Sequence, residues 1–301
     1  MLASFFAAFF FALTGACGNA NIRANGPVRA NLGRLCVAAV VLGLFAHTVG
    51  GGFASASVVW FLLSGVIGMG IGDLGVYGAL PLLGSRLTVL ITQCLAAPIA
   101  ALGEWLWLGT RLTAVQVLWG LMILAGVAVA IMPSKAHPPR VQVRPIGYLF
   151  GLVAAAGQGL GALVSRKGVL AAEAAGEVVG TPVFGLTAAY HRILAGLVFV
   201  ALWFWMLWRL GRLPQSVTPP TGKNRFGWIV ASGFTGPIIG VSCYQWALAT
   251  TPSGVVLPIV ATAPLLAIPI ALWLEHDRPT RRAIAGGVIA VAGCVALTMA
   301  R

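Results

Sequence analysis

Charged side chains are scarce in this sequence. Asp, Glu, Lys and Arg make up 8% of the 301 residues, whereas 59% of the residues are hydrophobic, and the mean hydropathy is +0.95. A soluble domain carries about 25% charged residues. Because this chain has too few charged groups to cover a water-exposed surface, the composition excludes a soluble globular protein and predicts an integral membrane protein.

Acidic residues are the scarcest charged type. The chain has six Asp and Glu against 19 Lys and Arg, which gives a net charge of +13. Such an excess could indicate nucleic-acid binding, but 13 of the 19 basic residues lie in, or directly beside, alternate loops between the apolar runs. Basic residues in such loops set the orientation of membrane proteins and contact lipid headgroups. The expected partners are therefore membrane lipids and no nucleic acid.

Paired cysteines and the sequence motifs of catalytic sites are missing. The five cysteines are isolated within or beside apolar runs, and no two have the CxxC spacing of a disulfide or metal site. No GxSxG, HExxH or P-loop motif occurs in the chain. We therefore expect no enzymatic activity, no metal and no cofactor.

Long apolar runs dominate what is present. A helix needs about 20 mostly apolar residues to cross a bilayer. Ten such runs occur, at 2–20, 29–47, 57–80, 86–108, 113–132, 145–165, 185–208, 226–248, 253–274 and 281–300. The connections between the runs leave no room for a soluble domain. The sequence therefore predicts an all-α integral membrane protein with ten transmembrane helices.

The runs repeat in the same order along the chain. Shifted by 168 positions, residues 64–85 meet residues 232–253 with eight identities, which include Ser64 on Ser232 and Gly68 on Gly236. These matches predict two five-helix repeats, at 1–133 and 145–301, joined by a loop at 134–144. Since five helices cross the membrane an odd number of times, the second repeat must be inverted relative to the first.

The loop charges agree with inverted repeats. The loop between the second and third runs has no Lys or Arg, whereas the equivalent loop of the second half, 209–225, has four. Odd-numbered loops hold 13 basic residues when the first residues of the runs that follow them (Arg29, Arg86, Arg281 and Arg282) are counted with them, and the even-numbered loops and the termini hold four. The positive-inside rule then places the odd loops in the cytoplasm and both termini outside.

Several phrases resemble one known family. They are GIGDLGVYGALPLLGSRLTVL in runs three and four, LGTRLTAVQVLWGLMILAGVAVAIM around run five, and YQWALATTPSGVVLPIVATAPLLAIPIALWLEHDRPT and AGGVIAVAGCVALTM in the second half. With the five-plus-five pattern, they resemble EamA-type permeases of the drug/metabolite transporter (DMT) superfamily. The chain departs from that pattern at Thr110 and Asp277, where members often have Glu. The resemblance implies cytoplasmic termini, opposite to the loop charges, so the absolute orientation stays open.

Asp73 is the one acidic residue deep within an apolar run. A carboxylate near the bilayer centre costs roughly 2.5–3.5 kcal/mol, so Asp73 should face the interior of the helix bundle. There it could bind a cationic group or carry a proton, and Tyr77, one turn further, shares its face. The alternative is a structural hydrogen bond between helices.

Other polar residues within the runs are further candidates. Arg34 and Arg192 match across the repeats and could hold an anionic group of a substrate, although an Arg near a helix end often extends to the headgroups instead. Residues that could line a polar cavity or cross-link helices are Asn19, Gln93, Gln158, Tyr244 and Gln245. Candidate helix kinks are Pro98, Pro258 and Pro264.

The resemblance and the candidate residues together predict a secondary active transporter. It would move a small metabolite, an amino acid or a related organic solute, by alternating access, and export is the default direction of the family. Protons or exchange of solutes would supply the energy. The predicted location is a bacterial-type inner (cytoplasmic) membrane, crossed several times. The alternative is a non-transporting membrane scaffold with the same fold, and the substrate and the choice between monomer and homodimer stay open.

Overall fold

The computed structural model describes residues 1–132, 143–212, 224–263, 265–266 and 281–299, and within these ranges the secondary structure is helical, without a strand. The α-helices are α1 (Leu2–Asn25), α2 (Pro27–Thr48), α3 (Val58–Gly65), α4 (Asp73–Gly103), α5 (Ala114–Ile131), α6 (Ile146–Ala174), α7 (Pro182–Arg209), α8 (Arg225–Gly233), α9 (Val241–Thr250), α10 (Ser253–Val260) and α11 (Arg281–Met299). Three π-helical segments join or extend them, π1 (Val66–Gly72), π2 (Glu104–Leu108) and π3 (Phe234–Gly240).

Six of these helical stretches are long and apolar enough to cross a membrane. They are Val28–Thr48, Val58–Val76, Thr88–Leu108, Ile146–Ala174, Pro182–Arg209 and Arg225–Thr250. Shorter apolar helices cover Leu2–Thr14, Ala114–Ala130 and Ile284–Leu297. The all-α membrane architecture is confirmed. Of the predicted ninth run, 253–274, the part beyond 266 lies outside the described residues, as does Pro264.

The chain reverses direction inside α4. Helical elements follow one another without an intervening loop from Val58 to Leu108, and a straight helix of that length would span roughly 75 Å. Its contacts with α6 exclude a straight helix, because they run down α6 and then back up it. In chain order they are Trp60 on Gly168, Gly72 on Gly157, Leu83 on Gly147, Ile91 on Gly151 and Gly103 on Leu163. The stretches before and after Leu83 are therefore two antiparallel crossings, as the two predicted runs 57–80 and 86–108 require.

The π-helical segments fall at matching places in the two halves. Shifting π1 by the 168 positions of the sequence repeat gives the bounds of π3. A π-helix bonds each N–H five residues back, which widens the turn, and such turns are frequent at functional sites. The same local irregularity therefore follows from the same glycine pattern in each half.

Glycines allow α11, the last helix, to pack closely against α5. Gly126 of α5 faces Gly286 and Ala290 of α11, while Ile123 faces Gly293 further along. The residue numbers rise on one helix as they fall on the other, so α5 and α11 are antiparallel. A Cβ at Gly286 would lie 2.5 Å from the Gly126 carbonyl oxygen, whereas a Cβ at Gly287 would meet no atom within 4 Å. The crossing depends on Gly286 and is independent of its neighbour.

We expect Gly286→Ala to destabilise the protein by about 1–3 kcal/mol, the usual cost of overpacking, because backbone atoms of α5 would have to move. Gly287→Ala is the matched control and should be neutral or slightly stabilising, since Ala favours helix more than Gly does. Thermal unfolding of both variants in detergent checks this. Equal melting temperatures for the two variants would contradict the proposed contact between α5 and α11.

Candidate functional site

Asp73 lies at the start of α4 and is paired with a basic residue from a different helix. Its Oδ2 lies 3.3 Å from Nη2 of Arg34 on α2, and Asn31 donates to the same oxygen at 3.4 Å. Arg34 Nε in turn donates to Asn31 Oδ1 at 2.8 Å. The structure thus joins Asp73, which the sequence suggested as a partner of a cationic group, to Arg34, which it suggested as a partner of an anionic group. Asn31 was not predicted, and only its position one turn before Arg34 could have indicated it.

Arg192 is buried in the bundle and is only 5% exposed. With the Gln245 amide oxygen turned towards the guanidinium, the orientation in which donors face acceptors, that oxygen accepts from Nη1 at 2.5 Å and from Nε at 3.1 Å. The guanidinium also lies 5.8 Å from the centre of the Tyr244 ring. The ion pairs among the described residues involve Arg34 and Arg166. Arg192 is therefore a buried cation held by an amide and a ring, without a directly paired carboxylate in that part of the chain.

Each arginine lies beside the π-helical segment of the opposite half. A Cβ at Gly68 would lie 2.7 Å from Arg192 Nη2, and a Cβ at Gly236 would lie 3.7 Å from Arg34 Nη1. Gly68 and Gly236 are the pair matched by the sequence repeat. The Arg192 guanidinium therefore occupies space that a side chain at position 68 would need, whereas Arg34 lies only at van der Waals distance from position 236. A Cβ at Gly161 of α6 would lie 3.4 Å from Arg192 Nη2, and Gly157, one turn earlier on α6, lies against Gly72, the residue before Asp73. Both arginines therefore belong to one polar cluster.

Two glutamines lie close to this cluster. Gln158 Nε2 donates to Gln93 Oε1 at 3.0 Å, which links α6 to the second crossing of α4. Gly157, the residue before Gln158, lies against Gly72, the residue before Asp73. The glutamine pair is therefore near the level of Asp73 along the bundle. The sequence predicted both glutamines as polar residues but not that they bond to each other.

Tyr244 is only 5% exposed, and its buried hydroxyl has no hydrogen-bond partner among the described residues. Its ring also packs beside Phe11, with the ring centres 6.1 Å apart. A buried hydroxyl of this kind can donate to or accept from a bound molecule. Gln245, Tyr244 and Arg192 thus form one group, and the lining of a polar cavity by Tyr244 and Gln245 stays a prediction.

A family comparison identifies the chain. The model of the EamA-like transporter family matches residues 1–132 and 145–299. The chain belongs to the EamA-like transporter family. It is therefore a membrane transporter of the DMT type, and the recognition made from the sequence phrases is confirmed. No curated protein matches the chain.

One solved crystal structure has a similar fold to this EamA-like chain. Its sequence is 19% identical, the match covers 99% of this chain and 96% of the other, and the TM-score is 0.75. At this identity the likeness concerns the fold alone. It extends over both halves of the chain, so the helical arrangement described above is that of a known architecture.

The remaining predicted residues are more dispersed. Asn19 and Tyr77 lie in α1 and α4, but their side chains fall outside what the structure describes. Pro98 lies exposed within α4, and Pro258 lies buried within α10, which ends two residues later. Their roles as kinks stay predictions. In the described ranges no three His, Cys, Asp or Glu side chains are grouped as a metal site requires.

A second ion pair, with a buried carboxylate, ties one end of the EamA-like bundle together. Glu104 Oε1 lies 3.5 Å from Arg166 Nε and accepts from the Ser253 backbone N–H at 3.0 Å, at the start of α10. Arg166 Nη1 donates to the Leu248 carbonyl oxygen at 2.6 Å, near the end of α9. Glu104 is 1% exposed. The pair thus closes the gap between α9 and α10 and holds this corner against α4 and α6.

We expect Glu104→Ala to lower the free energy of unfolding by about 3–5 kcal/mol, because the Arg166 cation would stay buried without its carboxylate. Glu173→Ala is the control, since Glu173 is exposed on α6. Thermal unfolding in detergent and the amount of protein in the membrane report the loss. Surface changes usually alter the free energy of unfolding by no more than about 0.5 kcal/mol. If the free energy of unfolding of Glu104→Ala lies within that range of the control, the ion pair has no structural role.

Proposed function

We propose that this protein is a secondary active transporter that moves an amino acid or a related small organic solute by alternating access. The observation that carries the proposal is the buried guanidinium of Arg192 beside the ion pair of Arg34 and Asp73. Two cations and one carboxylate leave one positive charge in excess. A solute carboxylate would balance this charge, and a buried ion is stable only when it is paired.

The cluster can hold the two charged ends of one amino acid. The substrate carboxylate would accept from Arg192, whose fork of N–H donors fits a carboxylate in bidentate geometry. The substrate ammonium group would donate to Asp73, and the Tyr244 hydroxyl and the glutamine pair would contact the polar groups that remain. Asp73 could instead take up a proton in exchange for the substrate, which would couple transport to the proton gradient.

Two inverted five-helix repeats are the framework of this proposal. The family match falls on two stretches separated by 133–144, and π1 and π3 recur at the shift of the repeat. Equivalent helices also pair in antiparallel fashion. For α2 and α7, Gly43 lies on Tyr190 and Gly50 on Thr187. Inverted repeats of this kind place the substrate between the halves, near the middle of the membrane, where the arginines of both halves meet.

Alternating access would open and close the two ends of the bundle in turn. At one end, Glu104 and Arg166 join the helices as described, and Glu177 accepts from the Ala56 N–H at 2.7 Å. These contacts would break in the opposite state. Gly68 of π1 packs directly on Gly161 of α6. Because neither residue has a side chain at this contact, π1 could slide along α6. We place the protein in a bacterial-type inner membrane and take export as its direction.

The transport assay compares two variants with two controls at matched membrane levels. An export-deficient bacterium expresses the wild type, Asp73→Asn or Arg192→Gln and is challenged with toxic amino acids, dipeptides, amines and cationic drugs. The controls are Glu173→Gln and Arg209→Gln, which remove exposed charges outside the cluster. We expect the wild type to protect against toxic amino acids, and both cluster variants to lower efflux about tenfold or more, since charge-assisted hydrogen bonds contribute about 1.5–3 kcal/mol.

The pattern of losses separates the roles of the two charges. Amino acids carry both charged groups, so both variants should impair their efflux. Among solutes with only one of these groups, Arg192→Gln should abolish protection against those with a carboxylate while sparing simple amines, and Asp73→Asn should do the reverse. Efflux equal to that of the controls in both variants would overturn the substrate site. If the wild type protects against no solute and reconstituted protein moves none, transport itself is contradicted and a scaffold role is favoured.

A further inference from the structure

A separate cavity of about 370 Å³ opens at the end of the bundle where α6 is joined to α7. Its lining comes from the segment between α2 and α3, from Phe61 of α3, from the segment between α6 and α7, and from the first three turns of α7. None of the residues assigned above to the central cluster lines it. Its volume falls in the range of about 300–1,000 Å³ that is usual for sites of small molecules. The cavity is therefore large enough to hold a ligand of its own.

The one charged side chain of the lining is a carboxylate. Glu177 accepts from Ser55 Oγ at 2.7 Å and from the Ala56 N–H at 2.7 Å. A carboxylate has about four acceptor positions, so about half of its capacity is available to a ligand. No Lys or Arg belongs to the described lining. The cavity therefore has a net negative charge and attracts a cation.

His191 adds a second acceptor to the lining. Its Nε2 lies 2.8 Å from the Gly52 carbonyl oxygen, which can only accept, so Nε2 carries the hydrogen. In the neutral ring Nδ1 is then an acceptor. His191 is 1% exposed, and Nδ1 has no hydrogen-bond partner among the described residues. A buried acceptor without a donor costs free energy, and a donor-bearing ligand would remove that cost.

Aromatic rings and hydroxyls complete the cavity. Phe61 and Phe184 meet edge to face with ring centres 5.9 Å apart, and Phe61 stacks on His191 at 6.5 Å. Cations are attracted to the faces of such rings. Thr187 donates its hydroxyl hydrogen to the Val183 carbonyl oxygen at 3.0 Å, which leaves the hydroxyl oxygen as an acceptor. The lining thus combines acceptors, ring faces and one negative charge, and the described part of it offers no cationic donor.

The geometry points to a binding site for a primary ammonium group at this cavity, held by Glu177 and by Nδ1 of His191. A primary ammonium has three N–H donors and one positive charge, which matches the acceptors and the charge of the lining. The group could belong to a free organic amine or to the headgroup of phosphatidylethanolamine, because the cavity opens at the end of the membrane-spanning helices. This site shares no residue with the central cluster proposed above to bind the transported solute.

The test uses the full-length protein in nanodiscs of phosphatidylcholine, whose headgroup has no N–H donor. The probe is benzylamine, and benzyl alcohol is its uncharged counterpart of similar shape. Isothermal titration calorimetry compares the wild type with Glu177→Gln and Glu177→Asp, and Glu173→Gln is the matched control from the exposed face of α6. Each of these proteins is also measured with the additional substitution Asp73→Asn, which removes binding of the amine at the central cluster.

We expect the wild type to bind benzylamine at least about tenfold more tightly than benzyl alcohol, and Glu177→Gln to lose about tenfold, since a charge-assisted bond is roughly twice as strong as a neutral one. Glu173→Gln should stay within about twofold. Glu177→Asp should retain more binding than Glu177→Gln because it keeps the charge. Phosphatidylethanolamine added to the nanodiscs will displace benzylamine if the lipid headgroup is the natural occupant and will leave it bound if a free amine is.

Equal benzylamine affinity in Glu177→Gln and Glu173→Gln would overturn the site, as would equal losses in Glu177→Gln and Glu177→Asp, which would trace the effect to the loop and not to the charge. The site would also be overturned if the wild type binds no benzylamine and the protein purified from its native membrane carries no bound phosphatidylethanolamine. Failure here with intact efflux would leave the transport proposal standing. Intact benzylamine binding without efflux would support the amine site and contradict the transport proposal.

Discussion

Buried charge without water around it is the constraint on which this structure depends. An ion removed from water costs several kcal/mol unless a partner of opposite charge is near, and the chain has only six acidic residues. Asp73 is used to join α4 to α2 through Arg34, and Glu104 joins π2 to α6 through Arg166. The ion pairs therefore fix which helices are neighbours. They also leave Arg192 as the buried cation that a substrate can satisfy.

Glycine has two roles in this molecule. Without a hydrophobic driving force between helices in lipid, small residues are needed for close packing, and Gly72 meets Gly157 in this way. The same absence of a side chain at Gly68 leaves the space that the Arg192 guanidinium occupies. Packing and the polar cluster therefore depend on the same sequence pattern. A larger residue at such a position would disturb both at once.

The helix α7 connects the features of the two proposals. His191 faces the cavity at the end of the bundle, and the next residue, Arg192, belongs to the central cluster. Successive residues of a helix differ by about 100° in direction, so the two side chains serve different surfaces of α7. A rotation or shift of this helix would move both sites together. The end cavity and the cluster thus lie along one structural element that can couple them.

The sequence by itself determined the membrane class, the apolar runs, the family and the need for Asp73 to face inwards, because these follow from composition and local order. Only the tertiary structure decided that Asp73 meets Arg34, that Gln93 meets Gln158, and that Arg192 is buried beside Tyr244. The physical reason is that helix surfaces facing lipid and those facing other helices are both apolar. Helical periodicity therefore cannot say which surfaces pack together, and the polar contacts depend on that packing.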